Sequence, residues 1–144
     1  MIAAFLDLCD AIMFYGLKGV APIKIPQSIA SGILGRPAYS GGLRTALLGL
    51  ALHLFIALSW TAIFVFAARS IRTLSRYAIL SGTIYGSLIY TIMYSLVLPR
   101  SNLYPHHPHP TLMVFFNNVA AMVFLVGIPI AVANLYLAPQ FEES

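Results

Sequence analysis

The sequence predicts an all-α membrane protein: a four-transmembrane-helix bundle with a short interfacial helix between spans 1 and 2. Three observations carry this reading. Of the 144 residues, 60% are hydrophobic and only 8% charged, with a mean hydropathy of +0.87, whereas soluble domains carry about 25% charged residues. So little charge cannot coat a globule with water-compatible surface, and the lipid bilayer is the partner this composition implies. Three apolar runs, 43–68, 78–98 and 112–137, reach the roughly 20 residues needed to cross about 30 Å of hydrocarbon. Barrel strands are half that length, so helices are the spanning structure these runs can form. The whole length, 1–144, reads as one integral membrane domain.

The first span, approximately 2–20, is the shortest and the most polar. At about 100° per residue, Asp7, Asp10 and Lys18 share a stripe with Ala11 and Phe14; the opposite stripe is Ile2, Leu6, Cys9, Met13 and Leu17. The polar stripe is narrow and acidic, unlike the broad basic face of interfacial helices, so the segment is expected to span with that stripe turned inward. Asp7 and Asp10 also interrupt what would be the apolar core of a signal peptide, and a cleaved leader is not expected. The single cysteine, Cys9, excludes an intrachain disulfide.

Residues 21–42 are punctuated by Pro22, Pro26 and Pro37 and rich in serine and glycine. Two turns of helix fit between the prolines at 27–34, and Ser28, Gly32, Ser31 and Gly35 recur at the spacing that lets another helix approach closely. The second span, 43–68, contains His53 ten residues in, about 15 Å deep at 1.5 Å per residue. Its helix face adds Ala46, Gly49, Ala57, Trp60 and Thr61, small and polar enough to face other helices. The loop after it holds Arg69, Arg72 and Arg76, a density of positive charge that marks the cytoplasmic side. Four spans then put both termini in the cytoplasm, although Lys18, Lys24, Arg36 and Arg44 fall on the opposite side.

In the third span, 78–98, Leu80, Ile84, Leu88, Ile92 and Leu96 form an apolar stripe for lipid. The other side holds Gly82, Thr83, Gly86, Ser87, Tyr90, Thr91 and Tyr94. Gly82 and Gly86 make a G-x-x-x-G, which admits a neighbouring backbone; the neighbour is either a helix of this chain or a second copy in a homo-oligomer. In the fourth span, 112–137, Asn117, Ala120, Ala121, Phe124, Gly127 and Ala131 fall on one half of the helix. Pro129 removes a backbone hydrogen bond and should kink the helix.

Part of this pattern resembles a known group. The stretch 17–58, the arginine loop, SGTIYGSLIYTIMYSLVLP in the third span and VGIPIAV in the fourth are similar to a family of small bacterial four-helix inner-membrane proteins. The resemblance covers most of the chain from Asp7 onward. It implies a compact multi-pass protein of the cell inner (plasma) membrane and carries no activity with it.

Ionisable groups within a span are costly and raise a functional question. Asp10 lies eight residues beyond Ile2, about 12 Å deep by the same rise, so Asp10 and His53 are expected at similar depth. A carboxylate–imidazole pair there could relay protons, or simply fix helix register. Asp7 is shallower, and Asn117 can hydrogen-bond across helices. Before the fourth span, His106, His107 and His109 supply three imidazoles in four residues, enough for a zinc or copper site, although the intervening prolines fan consecutive side chains apart.

No basic patch interleaved with aromatics accompanies the net charge of +4, so nucleic-acid binding is not expected. The sequence has no H-E-x-x-H, G-x-S-x-G, Walker A or G-x-G-x-x-G motif. With four acidic residues in all, neither enzymatic activity nor a cofactor is expected. The expected role is structural or accessory. The rivals are a small dimeric proton- or ion-coupled transporter using Asp10 and His53, and an extracytoplasmic metal-binding protein using the loop histidines.

Overall fold

The computed structural model describes residues 2–102 and 110–137. Among these residues the chain is helical, with no strand. Helix α1 (Ile2–Gly16) leads through a turn to α2 (Lys24–Leu34) and a 3₁₀ turn, Arg36–Ser40. Three helices long and apolar enough to cross a membrane follow: α3 (Gly42–Ser70), α5 (Ala78–Arg100) and α6 (Leu112–Tyr136). The short helix α4 (Arg72–Arg76) joins the first two of these. Their 29, 23 and 25 residues correspond to about 44, 35 and 38 Å.

Helix α1 stops short of the expected boundary near residue 20. Gly19 has φ of +82°, a conformation that costs glycine nothing. The Gly19 N–H donates to the Gly16 carbonyl at 2.9 Å and the Val20 N–H to the Tyr15 carbonyl at 3.0 Å. This is the paired closure of a Schellman motif, which satisfies carbonyls that would otherwise be orphaned at the helix end. At 15 residues, α1 is about 22 Å long, less than the hydrocarbon thickness. The acids of its polar stripe, Asp7 and Asp10, nevertheless turn inward, as its pattern predicts, while Lys18 lies beyond the helix end and is exposed, as are Ile2, Phe5 and Met13.

Helix α2 starts three residues earlier than the prolines suggested. Pro26 sits in the first turn, where a missing N–H has no helical acceptor to lose. The helix buries Ile25, Gln27, Ala30 and Ser31 and packs chiefly on the start of α3. There a Cβ at Gly49 would overlap the Pro26 carbonyl, so glycine is what lets the two backbones meet. The Gln27 amide donates to the Gly42 carbonyl at 2.9 Å and the Thr45 hydroxyl at 3.3 Å, pinning α2 to that end.

Backbones also meet closely between α5 and α6. A Cβ on Gly86 would overlap Met122 and Val123, one on Gly82 would meet Gly127 and Ile128, and one on Gly127 would strike Gly82 and Gly86. The G-x-x-x-G is therefore used within the chain. It sits in a core formed by Ala3, Phe64, Ala68, Ala78, Tyr85, Ile89, Val126, Ile130 and Ala131. The Tyr85 ring packs edge-on against Phe64 at 5.0 Å between centroids, and its hydroxyl donates to the Trp60 carbonyl at 2.6 Å. That bond lets a phenol be buried without an orphaned O–H. At the arginine-loop end, buried Asn134 of α6 donates to the Ser75 hydroxyl of α4 at 3.2 Å.

Outside this core the surface is apolar. Leu80, Ile84, Leu88 and Leu96 of α5 are exposed together, as expected, along with Phe55 and Phe66 of α3 and Phe116 and Phe124 of α6. By sequence spacing Phe124 shares one half of the helix with Gly127 and Ala131, yet it is exposed where they are buried. The difference has a physical cause: residues Ala121–Gly127 form a π-helical stretch, whose wider turn breaks the 100° periodicity on which that grouping rests. The backbone contacts make Gly86→Val a sensitive test. Its side chain should force α5 and α6 apart and cost at least the upper end of the roughly 1–3 kcal/mol typical of overpacking. Gly16→Ala, with nothing near its added methyl, should be neutral within about 0.5 kcal/mol; thermal unfolding followed by circular dichroism in detergent compares them.

Candidate functional site

The end of the bundle away from the arginine loop is hollow. Between α1, α2, α5 and α6 lies a cavity of about 700 Å³, bordered also by His53 of α3 and Tyr39 of the 3₁₀ turn. The surface facing it is mostly apolar, with polar groups from Asp7, Asp10, Lys24, Ser28, His53, Thr111 and Asn118 and the tyrosines Tyr15, Tyr39, Tyr90 and Tyr94.

The expected pairing of Asp10 with His53 is replaced by two separate contacts. Asp7 faces His53, with its carboxylate oxygen 3.9 Å from Nε2. Asp10 accepts a hydrogen bond from Asn117 Nδ2 at 3.0 Å. Direction explains the difference. Helices α1 and α3 run antiparallel and meet the hollow end at Gly16 and Gly42 respectively. Counted from that shared end, Asp7 lies nine residues into α1 and matches His53, eleven into α3. Asp10 lies only six in and meets Asn117 near the start of α6. Counting α1 from Ile2 measured its depth from the wrong end.

His53 Nε2 also lies 2.9 Å from the Ala4 carbonyl. A carbonyl oxygen only accepts, so Nε2 carries the proton and donates it. The neutral ring thus has Nδ1 as its acceptor and its site for a second proton. At 3.9 Å the Asp7 carboxylate is beyond direct hydrogen bonding to that N–H.

Two prolines shape the walls. The Leu98 N–H, just before Pro99, donates to the Met93 carbonyl, and the Ile128 N–H, just before Pro129, donates to the Val123 carbonyl. Both are i→i−5 bonds, so each helix widens into a π-helical stretch on the N-terminal side of its proline. The expected distortion at Pro129 takes this form. Met93 and Tyr94 come from the first stretch and Ala121 and Met122 from the second, and all four border the cavity.

Sequence reasoning missed Lys24, Tyr15 and Tyr39 as members of one site. Lys24 Nζ donates to the Tyr39 carbonyl at 2.7 Å and lies 5.7 Å from its ring centroid. Tyr90 and Tyr94 stack at 5.3 Å, with Phe115 edge-on to Tyr90 at 5.5 Å. Their i,i+4 spacing was visible, but the distant lysine and tyrosines join them only through the fold. His106, His107 and His109 lie outside the described residues. Among the described residues, no three His, Cys, Asp or Glu side chains converge as metal ligands.

Comparison with family models, curated proteins and solved structures gives no match, so the chemistry of the cavity rests on its own geometry. That geometry offers a half-open, largely apolar space bordered by the His53 imidazole, two carboxylates and one ammonium. It can hold a small amphipathic molecule. A double-mutant cycle on Asp10→Ala and Asn117→Ala should give a coupling of roughly 0.6–1.7 kcal/mol, the range of hydrogen bonds between membrane helices. Additive losses of stability would show that the contact contributes nothing.

Proposed function

We propose that this chain is a small solute-binding membrane protein, a carrier whose ligand occupies the cavity between α1, α2, α5 and α6. The cavity itself supports the reading: a space of about 700 Å³ lies within the usual range of roughly 300–1,000 Å³ for small-molecule sites. Its ionisable groups would be costly to retain for packing alone. The structural or accessory role that the composition suggested accounts for the glycine-packed half of the bundle but gives the hollow half no task.

In this reading α1 is a fourth, short span. Its inward polar stripe and outward Ile2, Phe5 and Met13 support that role, and a short span is accommodated by local bilayer thinning or by flanking residues reaching the surface. Helix α2 lies at the interface, with its buried face on α3 and Ile33 and Leu34 exposed. The arginines of the α3–α5 connection set the cytoplasmic side, and the resemblance of 17–58 to small bacterial inner-membrane proteins supports that membrane. Two of the positive charges that oppose this orientation are engaged within the chain: Lys18 lies 4.2 Å from the Phe14 ring centroid, and Lys24 is bound to Tyr39. The cavity then opens on the side opposite the cytoplasm.

Thiol labelling tests this. In a Cys9→Ser background, Asn118→Cys on the cavity wall should react with a membrane-impermeant maleimide applied from the extracytoplasmic side. Val126→Cys, in the packed core, should not. If the two are equally unreactive, no accessible cavity exists and the carrier reading fails.

A further inference from the structure

Resting on the reading of the cavity as a ligand site, we propose that its ligand is an amphipathic organic cation: an apolar, aromatic-sized body carrying one positive charge. Four observations narrow the class. The charged side chains on the wall are Asp7, Asp10 and Lys24, two acids against one base. The acids outnumber the lysine by one, an excess that a monocation offsets and an anion would worsen. Lys24, the only lysine or arginine on that wall among the described residues, is already directed to the Tyr39 carbonyl at 2.7 Å, which leaves it poorly placed to hold a carboxylate or phosphate.

A bare metal ion does not suit the site. Asp7 and Asp10 are drawn to different partners, His53 and Asn117, and no three potential ligands converge among the described residues. The space is also much larger than an ion needs. A neutral sugar or amino-acid-like solute suits it no better, because most of the surface facing the cavity is apolar and would leave many of a polar ligand's hydrogen-bonding groups unpaired. What remains is a cation with a large apolar surface. The stacked pair Tyr90 and Tyr94, 5.3 Å apart, adds ring faces that attract such a charge when water is excluded. The tyrosines border the same cavity as the carboxylates, so charge and aromatic surface can be satisfied together.

The purified full chain in detergent is tested with two ions of nearly equal shape and opposite charge, tetraphenylphosphonium and tetraphenylborate. Binding is measured by equilibrium dialysis, and occupancy by protection of Asn118→Cys, in the Cys9→Ser background, against maleimide. Saturable tetraphenylphosphonium binding that slows labelling is expected, with tetraphenylborate giving neither effect. Asp7→Asn and Asp10→Asn should each weaken binding about tenfold, the equivalent of about 1.4 kcal/mol. Lys24→Met should strengthen it several-fold, an improvement that misfolding would not produce. Preference for tetraphenylborate, or binding unchanged by the carboxylate variants, would overturn the cation assignment while leaving the cavity as a ligand site. Reactive Asn118→Cys with neither ion bound also overturns it. Unreactive Asn118→Cys removes the carrier reading itself.

Discussion

The backbone contact between α5 and α6 at Gly82, Gly86 and Gly127 is the constraint on which the rest of the bundle depends. In lipid there is little hydrophobic gain from bringing two apolar helices together, so association relies on close van der Waals packing and interhelical hydrogen bonds. Three glycines remove the side chains that would hold the helices apart. The contact lies toward the arginine-loop end, where Phe64, Tyr85 and Ile130 fill the remaining space. Farther along, Tyr90, Tyr94 and Phe115 occupy the interface instead, and bulky rings replace glycine. One end of the bundle is thereby solid and the other hollow.

Polar groups within the bundle are distributed so that each is met by a different helix. Asp10 is bonded to Asn117, Asp7 lies beside His53, Asn134 reaches Ser75, and Gln27 reaches Thr45. Burying any one of these groups without its partner would carry the full desolvation cost of an unpaired polar group. The pairs therefore act as register marks between helices whose apolar surfaces would tolerate sliding. Pro99 and Pro129 fit the same logic. Each removes a helical donor, and the π-helical stretch before it re-pairs the backbone with a carbonyl one residue farther back. These wide turns carry Met93, Tyr94, Ala121 and Met122 into the cavity wall, so a local solution to a missing N–H also shapes the proposed ligand site.

The arrangement separates stability from the proposed binding chemistry. Glycine packing, the Tyr85 bond and the Asn134 contact hold the arginine-loop half, while the carboxylates, His53, Lys24 and the stacked tyrosines border the other half. A carrier needs such a division, because the region that admits a ligand must yield without unfolding the scaffold. Helix α2, tied to α3 through Gly49 and Gln27, borders the cavity from the side and gives it a wall that α1, at 15 residues, does not extend far enough to supply alone.

The sequence by itself determined the helical class, the three long apolar helices, the outward leucine and isoleucine stripe of α5 and the inward polar stripe of α1. These follow from composition and from periodicity along a single helix, which act before any two helices meet. It also marked Asp7, Asp10, His53 and Asn117 as polar groups in need of partners. Tertiary structure alone decided which partner each received, because that depends on the antiparallel direction of α1 and α3 and on where the shared end lies. It alone turned Phe124 outward, through a π-helical stretch that no fixed helical period anticipates, and assigned the G-x-x-x-G to a contact within the chain. The cavity was least legible of all. A hollow is bounded by residues far apart in sequence, and the pattern along one helix carries no information about space left between six segments.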